Sequence, residues 1–314
     1  MNNSRRDFIK KATTGAAFLA APAFIESFKT VGQQKATDAT ASFKLKYAPG
    51  LGMFRQHAGQ DPIDNIKFCH DQGFRAVFDN GFMRREPALQ EKIMSELSRL
   101  GMDFGPFVLR ADSGKQDFVL NSQEIRDMLI AQMKEGVEVA KRTGAKLALV
   151  VPGRYDVKLH MDYQTANVID NLRYCCDIME PEGVTIVLEP LNHYINHPGL
   201  FLTGIPQTYA ICRGVNRKSC KIINDIYHQQ ISEGNLIPNI EAAWSEIAAF
   251  HCGDNPGRNE PTTGEINYKN IFKYLYNKKY DGTICMEHGA SQRGTKEGEA
   301  RVIQAYRECD SFEI

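Results

Sequence analysis

The chain has no Cys-x-x-Cys pair, no long apolar run and no excess of charge of either sign. Its eight cysteines (Cys69, Cys175, Cys176, Cys212, Cys220, Cys252, Cys285 and Cys309) are scattered, so a zinc ribbon or a thioredoxin-type site is unsupported. Several stand inside apolar runs, where cysteine packs as a small hydrophobe, and no disulfide framework is expected. No apolar stretch reaches the roughly 18 residues of a spanning helix. Lys plus Arg equals Asp plus Glu, 38 against 38, which favours neither a phosphate backbone nor an anionic membrane as partner. A composition 42% hydrophobic and 24% charged excludes wholesale disorder. The length, 314 residues, suits two ordinary domains or one large α/β barrel. Function must therefore come from a local site.

The first forty-odd residues read differently from the rest. Ser4-Arg5-Arg6-Asp7-Phe8-Ile9-Lys10-Lys11 is followed by small and apolar residues from Ala12 to Phe24. A basic start, a weak apolar stretch and small residues form a secretory pattern. The paired arginines before Phe-Ile-Lys resemble a twin-arginine export signal, which implies a periplasmic location. Residues 1–42 are read as export signal and linker, and 43–314 as a single catalytic domain.

From Phe43 onward, short apolar runs alternate with longer amphipathic ones. Strands are predicted at 44–48, 75–78, 103–108, 146–151, 184–188, 220–224, 247–250 and 283–286. Helical spacing falls at 63–71, 87–100, 124–143, 164–179, 206–214, 236–243, 268–277 and 297–307. Val184-Thr185-Ile186-Val187-Leu188 is the clearest strand buried on both faces. Eight strand–helix alternations over some 270 residues fit an α/β fold of the (βα)8 TIM-barrel type. A dinucleotide-binding open sheet would carry Gly-x-Gly-x-x-Gly after its first strand, and Ala48-Pro49-Gly50-Leu51-Gly52-Met53 does not.

Catalytic groups of a TIM barrel sit at the C-terminal ends of its strands. The residues just past the last four strands are Glu189, Asp225, His251 and Glu287. Singly, each reads as a loop residue or a core histidine; together they bring three carboxylates and an imidazole into one pocket. Burying that much charge needs a cation. An oxygen-rich set with one nitrogen suits Mn²⁺ or Mg²⁺, with Co²⁺ or Zn²⁺ also accommodated. Around them lie His228, three residues past Asp225; Asn192, His193 and His197 after Glu189; and the polar loop holding Arg258, whose planar fork suits a carboxylate or a set of hydroxyls.

Three segments resemble the hydroxypyruvate isomerase family of the xylose isomerase-like barrels: Leu188-Glu189-Pro190-Leu191-Asn192, Asn224-Asp225-Ile226-Tyr227-His228-Gln229-Gln230, and the run from Asp254-Asn255-Pro256-Gly257-Arg258-Asn259-Glu260-Pro261 to Tyr268. The resemblance spans most of 43–310. It implies a divalent metal on Glu189, Asp225, His251 and Glu287, with Glu189 and Glu287 also serving as the acid–base pair. It further implies substrate contacts from His228, Arg258 and Glu260, with Asn192 and His193 as candidates beside them. The expected reaction interconverts an aldose and a ketose, hydroxypyruvate to tartronate semialdehyde, through an enediolate. The third ligand position is often Gln in that family and His in ketose 3-epimerases, so His251 keeps a sugar 3-epimerase or a 3-keto-sugar lyase in view. The expected partner is a small hydroxy-carbonyl acid or sugar, with no nucleic acid, no membrane beyond export, and a homo-oligomer left open. A non-catalytic sugar binder would more naturally have lost a ligand.

Overall fold

The computed structural model describes residues 41–314; the export signal read at 1–42 thus lies, but for its last two residues, outside the described part. The strands are β1 (Lys46–Pro49), β2 (Ala76–Val77), β3 (Asp103–Phe104), β4 (Phe107–Arg110), β5 (Leu147–Val150), β6 (Thr185–Leu188), β7 (Cys220–Asp225), β8 (Ile247–Cys252) and β9 (Thr283–Met286). The helices are α1 (Arg55–Ala58), α2 (Pro62–Asp71), α3 (Pro87–Leu100), α4 (Gln123–Thr143), α5 (Met161–Met179), α6 (Ile205–Val215), α7 (Ile226–Ser232), α8 (Leu236–Ala243), α9 (Tyr268–Asn277) and α10 (Lys296–Asp310).

Seven strands form one parallel sheet in the order β1-β9-β8-β7-β6-β5-β4, which brings the first strand against the last. The remaining gap is filled by the parallel pair β2-β3, tied to β1 by the bridge between Gly50 and Phe78. All eight expected strands are present, and the third is divided. Its first part pairs with β2 and its second with β5, with Gly105-Pro106 between them. Proline cannot donate to a ladder. Only glycine fits beside it, because a Cβ at 105 would lie 2.9 Å from both Cys285 Sγ and Phe78 Cβ. The chain is a TIM barrel.

The helices start where their caps dictate. Asp61 accepts from Ile63 N ahead of Pro62, Ser122 caps α4 and Thr295 caps α10. Two short helices, α1 and α7, add to the predicted set, neither long enough to show a period in the sequence. The large core cluster packs helices onto the outside of the sheet, Ile186, Ile222, Phe250 and Ile284 among its fully buried members. Two smaller clusters fill the inside. Leu149, Val187, Ile223 and Ala249 belong to one, and Ala48, Ala76, Phe78 and Cys285 form the other. All eight cysteines are free and buried.

Candidate active site

Side chains alternate along a strand, so the residue two past an inward-facing one also faces inward. Counting two from Val187, Ile223, Ala249 and Cys285 gives Glu189, Asp225, His251 and Glu287. The four candidate ligands are thus the next layer above the barrel's own filling. Their donor atoms all lie within 4.8 Å of one another. His251 Nδ1 stands 2.9 Å from Glu189 Oε1 and 3.1 Å from Glu287 Oε2. Glu189, Asp225 and His251 are buried, and Glu287 is partly open to the mouth.

Burial opposes a proton on His251, but the charges of Glu287 and Glu189 outweigh it and push its pKa well above the ordinary value. Burial, helped by the charge of Glu287, lifts Glu189 to about 7. Burial also works against ionising Glu287, yet His251 and Arg258 hold it well below the usual carboxylate range. A cluster that retains protons among converging donors is one short of positive charge. Three carboxylates and one imidazole, dry and within a few ångströms, fit a divalent cation, which would take the place of those protons.

Asp225 divides its two oxygens between structure and site. Oδ1 caps α7 through Tyr227 N at 2.8 Å and His228 N at 3.3 Å. Oδ2 faces the centre, 2.9 Å from Arg258 Nη2 and 3.5 Å from His228 Nε2. Arg258 also reaches Glu287 Oε2 at 2.7 Å, with its guanidinium 5.0 Å from the Tyr227 ring centre. Its backbone is left-handed, φ 50°, which turns the side chain back from its loop over the cluster. Burial resists its charge, but Asp225 and Glu287 raise its pKa further still. His228 is fully buried, and its Nδ1 faces two donors of Asn192, the backbone N at 3.3 Å and Nδ2 at 2.6 Å.

Of the expected residues, the structure brings Glu189, Asp225, His251, Glu287, Arg258, His228 and Asn192 together. It sets two apart. Glu260 is buried with both oxygens on Ser291, accepting from its N at 2.8 Å and from its hydroxyl, so it ties the loop after β8 to the loop after β9. The His193 ring lies tilted 4.0 Å from that of Tyr194 and lines a separate cavity with Tyr155 and Met161; His197, not His193, is the histidine beside His228, 5.3 Å between ring centres.

Two residues at the site went unread in the sequence. Asn80 donates to Glu287 Oε1 at 2.5 Å, and the Phe78 ring lies 5.8 Å from that of His251. The signal was available. The strand-end rule that picks the last four strands also points past β2, to Phe78-Asp79-Asn80-Gly81.

A family profile described as xylose isomerase-like TIM barrel matches residues 66–309. The chain belongs to this family. Among curated members, hydroxypyruvate isomerase of Escherichia coli K12 is 33% identical over 186 residues, 59% of this chain and 69% of that protein. The 2-oxo-tetronate isomerase of Pectobacterium atrosepticum is 32% identical over 228 residues, 72% of this chain and 86% of that protein. Among solved structures, an AP endonuclease of family 2 from Brucella melitensis superposes with a TM-score of 0.70, covering 82% of this chain and 97% of that one. At 23% identity this last likeness speaks for the xylose isomerase-like fold alone.

Proposed function

We propose that the protein is a metal-dependent aldose–ketose isomerase acting on a small hydroxy-carbonyl acid, of the type that converts hydroxypyruvate to tartronate semialdehyde. The observation that carries this reading is Glu189 and Glu287 flanking one compact donor cluster, with Arg258 and His228 presenting N–H groups to the same space. The names of the relatives, hydroxypyruvate isomerase and 2-oxo-tetronate isomerase, support it.

Glu189, Asp225, His251 and Glu287 would hold the cation, Mn²⁺ or Mg²⁺ by the oxygen-rich donor set, and when bound it supplies Lewis-acid polarisation of a carbonyl and its neighbouring hydroxyl. The chain's residues do the rest. One glutamate takes the proton from the hydroxyl-bearing carbon, leaving an enediolate whose oxygens face the N–H groups of Arg258 and His228. A proton is returned to the adjacent carbon, and the hydroxyl proton passes between the two oxygens, so aldehyde and ketone exchange places. Burial excludes bulk water from the enediolate. Return of the proton to the original carbon from the opposite face would make a 3-epimerase instead, and His251 at the third ligand position favours that second reading.

Proton NMR in D₂O of the Mn²⁺-loaded protein with hydroxypyruvate tests the choice. Conversion to tartronate semialdehyde, abolished by chelation and restored by Mn²⁺, is expected. Exchange of deuterium into a neutral ketose, with no reaction of hydroxypyruvate, would replace the isomerase by the epimerase. We further propose export to the periplasm on the strength of Arg5-Arg6 and the apolar stretch after them. Fractionation of cells expressing the full chain and an Arg5→Lys/Arg6→Lys variant tests this, and cytoplasmic retention of both would overturn it.

A further inference from the structure

A cavity of about 500 Å³ opens at the C-terminal mouth between β1 and β9, with Glu287 in its wall. Pockets of roughly 300–1,000 Å³ enclose molecules of drug size. Hydroxypyruvate, three carbons long, would leave most of this space to water. The lining also carries three charged side chains and a histidine besides the site: Arg55 from α1, Arg293 from the loop after β9, Glu299 and His288. The two acids are already engaged. Glu287 pairs with Arg258 at 2.7 Å, and Glu299 with His57 Nδ1 at 2.6 Å. The His288 ring nitrogens are also engaged, facing the Gly289 carbonyl and the Tyr306 hydroxyl. Arg55 and Arg293 therefore line the cavity with no carboxylate of the described residues paired to them.

Their supports are built into the fold. Glu299, itself buried, accepts from Gln56 N at 2.7 Å and His57 N at 3.0 Å, which fastens α1 to α10 and fixes the backbone that carries Arg55. Gly289 leaves room for the other fork, since a Cβ there would lie 3.2 Å from Arg293 Nη2. A guanidinium binds a carboxylate through two parallel N–H bonds, which discriminates it from a hydroxymethyl group of similar size.

We infer that Arg55 and Arg293 form a carboxylate anchor, and that the cavity they line takes a hydroxy-carbonyl acid of more than three carbons. This rests on the isomerase reading for its chemistry but is testable apart from it. Calorimetry on the metal-loaded protein would compare erythronate with erythritol, which differ in one carboxylate, and glycerate with erythronate, which differ in one carbon. Erythronate is expected to bind at least about ten-fold tighter than either comparator. Arg55→Gln and Arg293→Gln should each reduce the acid-over-polyol preference about ten-fold, and both are surface changes that leave the core alone. Equal binding of acid and polyol, or an unaltered preference in both variants, overturns the anchor. Glycerate binding as tightly as erythronate overturns the length. Hydroxypyruvate turnover with an unaltered preference would keep the isomerase and remove the anchor; a lost preference with no isomerisation of any acid would do the reverse.

Discussion

On the side of β5 to β8 the barrel interior is filled by Leu149, Val151, Val187, Leu191, Leu200 and Ile223, with Ala249 the smallest of that cluster. On the side of β1, β2 and β9 it is filled by Ala48, Ala76 and Cys285, with Phe78 the single ring. The ladders differ only at β2 and β3, since β1 and β9 pair over four residues. β5 to β8 pair over three or four residues each, whereas β2 and β3 pair over two and connect to β1 through one bridge. Glu189, Asp225 and His251 stand on the bulky half; the open cavity with Arg55 and Arg293 stands over the small-residue half, and Glu287, just past β9, faces both. Close packing holds side chains to their rotamers, and a donor cluster needs its atoms fixed to a fraction of an ångström. A substrate chain needs room. The two halves divide those requirements, one by filling space and one by leaving it.

The sharpest way to break that division is at the two glutamates, one from each side. Glu189→Gln and Glu287→Gln should each reduce kcat by about 10²-fold or more, the scale of a missing acid–base group. Comparable losses in steady-state assays would make them a pair. A near-wild-type rate in Glu287→Gln would leave the chemistry to the bulky half, with Glu287 a wall of the cavity.

The bulky half was the more legible of the two in the sequence, for a physical reason. A strand covered on both faces is written as an unbroken apolar run, and its end is marked by the first polar residue, so Leu188-Glu189 and Phe250-His251 can be read directly. The other half is written in short pieces. Gly105-Pro106 interrupts the third strand, β2 spans two residues, and Asn80 beyond it is one polar residue in a turn-rich loop. α7, already too short to show a period, is hidden further because Asp225 ends a strand and caps a helix at once, leaving no intervening turn to signal the change. Nor does spacing distinguish His193 from His197, four residues apart in one loop, since only the folded loop decides which reaches His228.

Packing gives the next largest effect. Ile223→Ala, beneath Asp225 in the bulky half, should lower stability by about 2–5 kcal/mol through the cavity it opens. Cys285→Leu, in the small-residue half, should cost about 1–3 kcal/mol by overfilling, since Cys285 Sγ already faces Gly105 at close range. Urea melts of both variants compare the halves directly. A neutral Cys285→Leu would mean that the second half has slack rather than a tight small-residue lining.

The smallest effect expected concerns the loop above the bulky half, and it isolates a proton. Asn192 Oδ1 accepts from Ile195 N at 3.2 Å and Asn196 N at 3.1 Å, which fixes the amide so that Nδ2 points at His228 Nδ1. The Asn192 backbone N–H points at the same nitrogen. An atom facing two donors is an acceptor, so the His228 proton must sit on Nε2, aimed at the centre beside Asp225. Burial keeps the ring neutral, with its pKa pushed down to about 4. Asn192 is therefore a positioning residue that makes His228 a donor. Asn192→Asp replaces the Nδ2 donor by an acceptor of the same shape, which favours a proton on Nδ1 and takes away the fixed tautomer. We expect kcat/KM to fall about ten-fold, the scale of one lost hydrogen bond to a developing charge. The ¹⁵N shifts of the His228 ring should move from the Nε2–H pattern to one with Nδ1 protonated. Unchanged shifts with reduced activity would give Asn192 a merely structural part in its loop, and unchanged activity with altered shifts would take His228 out of the reaction.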